Sequence, residues 1–175
     1  MNTEYEIKVL DINTADVTLR LQELSFSKPV ILNFKRYVYE LKDQRTAWIR
    51  LRTDGEHATL TYKNFISNSI DGVQELEITV DDFSKTHELL TVMGYEYKTY
   101  QENKRTLYKN TDVEIAIDEW PHIPTYLEIE AENEATVKKY LADMGLESHS
   151  QTSEPTSFVY EKYGLDINAY KRLTF

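Results

Sequence analysis

At 175 residues with 41% apolar content, the chain is of single-domain size and able to bury a core. It has no cysteine, which excludes disulfides and thiolate metal sites, and its formal charge of −10 excludes the broad basic surface on which nonspecific nucleic-acid binding rests. No apolar run approaches the roughly 18 residues of a membrane helix, so no membrane association is expected and a cytoplasmic location is the expectation.

The first predicted element is a strand, TEYEIKVLD, in which Glu4, Glu6 and Lys8 alternate with Tyr5, Ile7 and Val9. Strand side chains two apart share a face. An ordinary half-buried strand turns its charges to water, whereas a strand of a wet-centred barrel turns them inward, and one strand alone does not decide between the two. TADVTLRLQEL follows as a helix capped by Asn13 or Thr14, with Val17, Leu21 and Leu24 on one face. LNFKRYVYEL, TAWIRLRTD and ATLTYKNF then read as strands, separated by turn signals such as TDGEH at residues 53–57. On the second of them Trp48, Arg50 and Arg52 share a face, and on the third Lys63 is an isolated cation.

The turn NSIDGV, residues 68–73, leads into VQELEITV, where Glu75 and Glu77 pair on one face. A second helix, DDFSKTHELLTVMGY, has Asp81, Asp82 or Ser84 as its cap and stops at Gly94. The strand YKTYQENKRTLYKN places Arg105 and Lys104 on opposite faces, with Lys104 read as structural. VEIAIDEW carries Glu114 and Asp118, TYLEIEAE carries Glu128 and Glu130, and ENEATVKKYLADMGL is a third helix ending at Gly145. About eight strands and three or four helices result, and the short turns between successive strands exclude βαβ crossovers, leaving an antiparallel α+β barrel. His57, His87, His122 and His149 are scattered without metal-ligand spacing and read as surface or loop residues.

Taken singly, each charged alternation is a solvated sheet face. Taken together, acidic pairs sit on the first, middle and penultimate strand segments and the cations lie between them, as in a cavity with a carboxylate wall and a cationic wall. Carboxylate oxygens suit Mg²⁺ or Mn²⁺, and arginine forks match phosphate oxygens, so a metal-chelated polyphosphate satisfies both. With no cysteine and no Ser–His pair in evidence, positioning and charge neutralisation must carry any catalysis.

In order, Glu4-x-Glu6-x-Lys8, Arg50-x-Arg52, Lys63, Glu75-x-Glu77, Arg105, Asp118 and Glu128-x-Glu130 resemble the CYTH family, the triphosphate tunnel metalloenzymes. That family includes thiamine triphosphatases, inorganic triphosphatases, RNA triphosphatases and class IV adenylyl cyclases. The resemblance implies a single CYTH-like domain over residues 1–175, built as a closed eight-stranded antiparallel β-barrel with flanking helices, and Glu4, Glu6 and Lys8 facing inward. It assigns Glu4, Glu6, Asp118, Glu128 and Glu130 to Mg²⁺ or Mn²⁺, and Lys8, Arg50, Arg52, Lys63 and Arg105 to the triphosphate. Glu4, Glu6, Lys8 and Arg52 are the residues on which catalysis is expected to depend, and Glu75 and Glu77 form a secondary acidic pair. Trp48 either stacks on a substrate ring or fills the tunnel end. Lys162 and Lys171 are candidates for the C-terminal lysine that some members add. The implied activity is hydrolysis of a small-molecule triphosphate, with class IV adenylyl cyclase as the alternative, in a monomer or homodimer.

Overall fold

A computed structural model describes residues 1–42 and 44–175; Asp43 lies outside the described residues. Strand β1 (Asn2–Val9) leads into helix α1 (Thr14–Glu23), and of the two capping candidates it is Asn13 whose side chain accepts from the backbone N–H groups of Ala15 and Asp16. Four strands follow, β2 (Val30–Leu41), β3 (Gln44–Thr53), β4 (Ala58–Phe65) and β5 (Val73–Val80). The TDGEH turn is held by Asp54, whose carboxylate accepts from the N–H groups of Glu56 and His57. In the NSIDGV turn a Cβ on Gly72 would sit 1.9 Å from the Ser67 carbonyl oxygen, so only glycine fits.

Helix α2 (Phe83–Val92) is capped by Asp82 and ends at Gly94 with φ of 89°, in the left-handed region that glycine adopts freely. Strands β6 (Tyr97–Lys109), β7 (Val113–Glu119) and β8 (Tyr126–Ala131) come next, then helix α3 (Glu134–Asp143), capped by Asn133. A C-terminal segment adds β9 (Gln151–Thr152), α4 (Thr156–Lys162), a 3₁₀ turn at Ile167–Ala169 and β10 (Arg172–Leu173). Replacing Asn133 by alanine deletes the acceptor for the Thr136 N–H. The expected loss is about 1 kcal/mol in urea unfolding, and an unchanged midpoint would show that this cap contributes nothing.

Eight strands close on themselves in the order β6-β2-β3-β4-β5-β1-β8-β7 and back to β6, every neighbouring pair antiparallel. Closure removes sheet edges, and β9 on β1 and β10 on β6 tie the C-terminal segment to this ring. The barrel is inside-out relative to a soluble core. Ile7 and Val9 of β1, Ile115 and Ile117 of β7, and Leu127 and Ile129 of β8 point outward and pack under Val17 and Leu21 of α1 and Val137 and Leu141 of α3. A second cluster joins Trp120 and Tyr126 to Val159, Tyr160 and Leu173 of the C-terminal segment, and a third places Leu90 of α2 against Tyr39 and Leu51. Because the apolar residues face the helices, their charged neighbours at period two must face the axis.

His87 departs from the surface or loop position expected of it. It lies on α2, stacked on Tyr37 with ring centroids 3.8 Å apart and its Nδ1 2.7 Å from the Tyr39 hydroxyl, because α2 needs a flat partner over the tyrosines of β2. His57 sits in the exposed β3–β4 turn, His122 in an exposed loop at positive φ, and His149 in the loop after α3.

Candidate active site

The inward faces of the ring enclose a cavity of about 930 Å³, within the size range of small-molecule sites. Glu4, Glu6, Lys8, Trp48, Arg50, Arg52, Lys63, Glu75, Glu77, Arg105, Asp118, Glu128 and Glu130 all line it. Lys104 points outward to Glu119, and neither Lys162 nor Lys171 lines the cavity.

Ring order sorts the charges in a way that chain order conceals. The consecutive strands β6, β2, β3 and β4 contribute Lys98, Arg105, Arg36, Arg50, Arg52 and Lys63, with Glu40, ion-paired to Lys98, as the carboxylate among them. The other four, β5, β1, β8 and β7, contribute Glu75, Glu77, Glu4, Glu6, Glu128, Glu130, Glu114 and Asp118, with Lys8 as the cation among them. A cationic half-barrel therefore faces an acidic one across the axis.

At the two seams, β4–β5 and β6–β7, and around Lys8 within the acidic half, the charges pair. Lys63 Nζ donates to both oxygens of Glu4 at 2.9 and 2.8 Å and lies 3.3 Å from Glu75. Arg105 grips Asp118 through two N–H groups at 2.8 and 2.6 Å and reaches Glu128 at 2.7 Å. Lys8 bonds Glu6 at 2.5 Å and sits 3.5 Å from Glu128. Burial alone would raise the Glu128 carboxyl, but Arg105, Lys8 and Lys63 outweigh it and hold it far below the carboxylate range. Partial burial would raise Glu77 too, but the Thr61 hydroxyl at 2.6 Å, with Arg50 and Arg52, holds it below its ordinary value.

Away from the seams, like charges crowd. Oxygens of Glu4, Glu6 and Glu130 lie within 4.8 Å of one another. Burial, reinforced by Glu128, Glu6 and Glu4, pushes the Glu130 carboxyl up to about 8, and burial with neighbouring carboxylates likewise raises Glu4 and Glu6. On the opposite wall burial, Arg50 and Arg105 push Arg52 down to about 9. The donors of the acidic cluster are all carboxylate oxygens, the set that fits a hard divalent cation. Asp118 and Glu128, placed with the metal ligands by the resemblance, are not in this three-residue cluster; Arg105 holds them.

Arg36, Trp120 and Phe158 are among the cavity-lining residues outside the set predicted from sequence. Arg36 shares the inward parity of Val38 and Glu40 in LNFKRYVYEL, and that parity was the available signal. Trp120 follows Asp118 by two residues, a parity that carried the same information. Phe158 comes from the C-terminal segment, which has no alternating pattern to read; it stands 5.9 Å from Phe65, and the two line the cavity together with Trp48.

A search of curated proteins returns no match. Among solved structures, the fold is similar to the PH1012 protein of Pyrococcus horikoshii OT3, with a TM-score of 0.74 and 20% identity over 87% of this chain and 96% of that one. It is also similar to a putative adenylyl cyclase of Hippeastrum, HpAC1, reported with a dominant triphosphatase activity, at TM-score 0.62 and 17% identity over 94% and 97% of the two chains. A putative adenylate cyclase of Vibrio parahaemolyticus matches at TM-score 0.63 and 13% identity over 82% and 84%. The family model of the CYTH domain matches residues 2–157, which include all eight strands of the ring, and the chain belongs to the CYTH family.

Proposed function

We propose that the protein is a divalent-metal-dependent triphosphatase that hydrolyses a small-molecule triphosphate inside the barrel. One observation carries this reading: a cationic half-barrel faces an acidic one across a single cavity, and on the acidic side three carboxylates crowd within 4.8 Å of one another. Such a site is completed by a ligand that is itself a polyanion with a bound cation. Glu4, Glu6 and Glu130 would hold Mg²⁺ or Mn²⁺, which supplies charge neutralisation at the phosphoryl oxygens. Arg50, Arg52, Lys63 and Arg105 grip and align the chain of phosphates, and their fixed positions stabilise charge as it spreads onto the leaving group. Glu75 Oε2 lines the cavity and is buried without a hydrogen bond, 3.3 Å from its ion-pair partner Lys63 Nζ, and is the carboxylate oxygen we assign to take the proton of an attacking water.

A second reading, class IV adenylyl cyclase, is favoured by Trp48, Phe65 and Phe158, which offer aromatic faces to a nucleobase at one part of the cavity. Incubating the purified protein with tripolyphosphate, ATP and thiamine triphosphate under Mg²⁺ or Mn²⁺ and identifying the products separates the two. Release of orthophosphate supports the hydrolase, cyclic AMP with pyrophosphate supports the cyclase, and no turnover of any of them would overturn both.

Arg52 tests the cationic wall. Its guanidinium lies 4.5 Å above the Phe34 ring and 3.9 Å from Glu77, which leaves its fork open to the cavity. Arg52→Lys keeps the charge and loses the planar fork, and is expected to weaken tripolyphosphate binding by about 1–3 kcal/mol. Metal affinity in the absence of polyphosphate should stay the same. Calorimetric titration of both proteins with tripolyphosphate checks this, and equal affinities would remove Arg52 from the phosphate-binding set.

A further inference from the structure

Arg36 differs from every other cation of the cationic wall. Arg50, Arg52, Lys63 and Arg105 each have a carboxylate within ion-pair distance, whereas among the described residues Arg36 has none. Its side chain is only 8% exposed. One Nη donates to the Asn103 amide oxygen, and the guanidinium lies 4.7 Å from the centre of the Trp120 ring. The Arg36 Nε has no acceptor, and neither has Nε1 of Trp120, a residue 5% exposed; both residues line the cavity. Two buried N–H groups on touching side chains thus lack partners, one of them on a cation with no ion pair among the described residues. Folded proteins rarely leave either unsatisfied unless something binds there.

The position of this pair along the barrel says what it meets. In register Arg36 lies between Arg52 of β3 and Gln101 of β6. Through Asn103, whose amide lies 3.4 Å from Asp118, it belongs to the level of Asp118 and its register partner Tyr126. The crowded carboxylate Glu130 is farther along β8. Glu130 is four positions beyond Tyr126, about 13 Å along the strand. A phosphoryl group held by Arg36 is therefore not the one that a cation at Glu4, Glu6 and Glu130 would touch.

On the reading that the cavity takes a polyphosphate, we propose that Arg36 and Trp120 form an oxyanion subsite whose two free N–H groups donate to the phosphoryl group farthest from the carboxylate cluster. Arg36 is then a specificity-determining residue that favours chains of three phosphates over two. Burial and the neighbouring Arg50, Arg52 and Arg105 disfavour its charge in the empty barrel and Asp118 offsets them only in part, so an anion at this point relieves four like charges together.

The test is calorimetric titration of the full chain with inorganic tripolyphosphate and with pyrophosphate, in wild type, Arg36→Gln and Trp120→Phe. Arg36→Gln should lose about 10- to 100-fold in tripolyphosphate affinity, the scale of a charge-assisted hydrogen bond, and less than about 3-fold for pyrophosphate. Trp120→Phe keeps the ring and deletes the N–H, and should lose about 3- to 10-fold for tripolyphosphate only. Unliganded Arg36→Gln should melt no lower than wild type, since it removes an unpaired buried charge. Unchanged tripolyphosphate affinity, or equal losses for both anions with a lower melting temperature, would show that Arg36 only builds the barrel and would overturn the subsite. Wild-type protein that binds no tripolyphosphate would instead overturn the polyphosphate reading beneath it.

Discussion

Glu130→Gln is expected to lower metal-dependent triphosphate turnover by at least about 10²-fold, the loss typical when a charge-stabilising group is removed from an active site, while leaving the empty protein at least as stable. The two effects have one cause. Glu130 is crowded by Glu128, Glu6 and Glu4, so its negative charge is costly in the empty barrel and useful only when a cation shares it. Its folded pKa of about 8 stands above the ordinary 4.5, so the stability it contributes is fully present below pH 4.5 and is lost as pH rises towards 8. Glutamine does not titrate. The melting temperature of the variant should therefore gain on wild type between pH 5 and pH 8.5 in the presence of a chelator. A pH-independent difference would place Glu130 outside the crowded cluster, and near wild-type turnover would remove it from the machinery.

Arg105→Met should destabilise the fold by about 3–5 kcal/mol, the cost of leaving buried carboxylates without their partner. Among the described residues Arg105 is the one cation hydrogen-bonded to Asp118, which is 1% exposed and otherwise accepts only a long contact from the Asn103 amide, and it also holds Glu128. At about 2–4 °C per kcal/mol for a chain of this size, the melting temperature should fall by roughly 10 °C. The sign of the pH dependence follows from Glu128. Its depressed pKa contributes stability above the unfolded value of 4.5 that is lost in acid, and this contribution goes with Arg105. The deficit should be larger at pH 8 than well below pH 4.5, where Glu128 protonates. A variant as stable as wild type at pH 8 would mean that the two carboxylates find other partners.

Much of the barrel was legible because strands and helices leave different periods. Glu4, Glu6 and Lys8 against Tyr5, Ile7 and Val9 marked β1, and Gly94 and Gly145 marked two helix ends that the structure places at positive φ. Which face was inside could not come from one strand, since alternation is the same for a solvated sheet and a wet barrel; the ordered set of charges broke the symmetry. Ring order was not legible. Nothing in the spacing of Glu6 and Glu130 says that they are register partners, and the separation into two charged halves exists only once β1 lies between β5 and β8. The C-terminal segment was read poorly because its strands have two residues each and its helix is short, so neither period has room to show. Arg36 was passed over because it stands beside Lys35 and among tyrosines, without the repeated x-spaced charge that drew attention to Arg50 and Arg52.

The pairing of β1 with β8 has a consequence for how the chain reaches this state. Strands β2 to β5 are joined in sequence by short connections and form a meander from local contacts, a fast kind of event. The β1–β8 contact joins opposite ends of the ring's sequence, so most of the chain must already be gathered before Glu6 can meet Glu130 and Lys8 can meet Glu128. That same late step brings the carboxylates of Glu4, Glu6, Glu128 and Glu130 together in one place. The crowding that suits a cation in the finished protein thus works against the chain while it is still folding, and raises the barrier at the very closure that completes the ring.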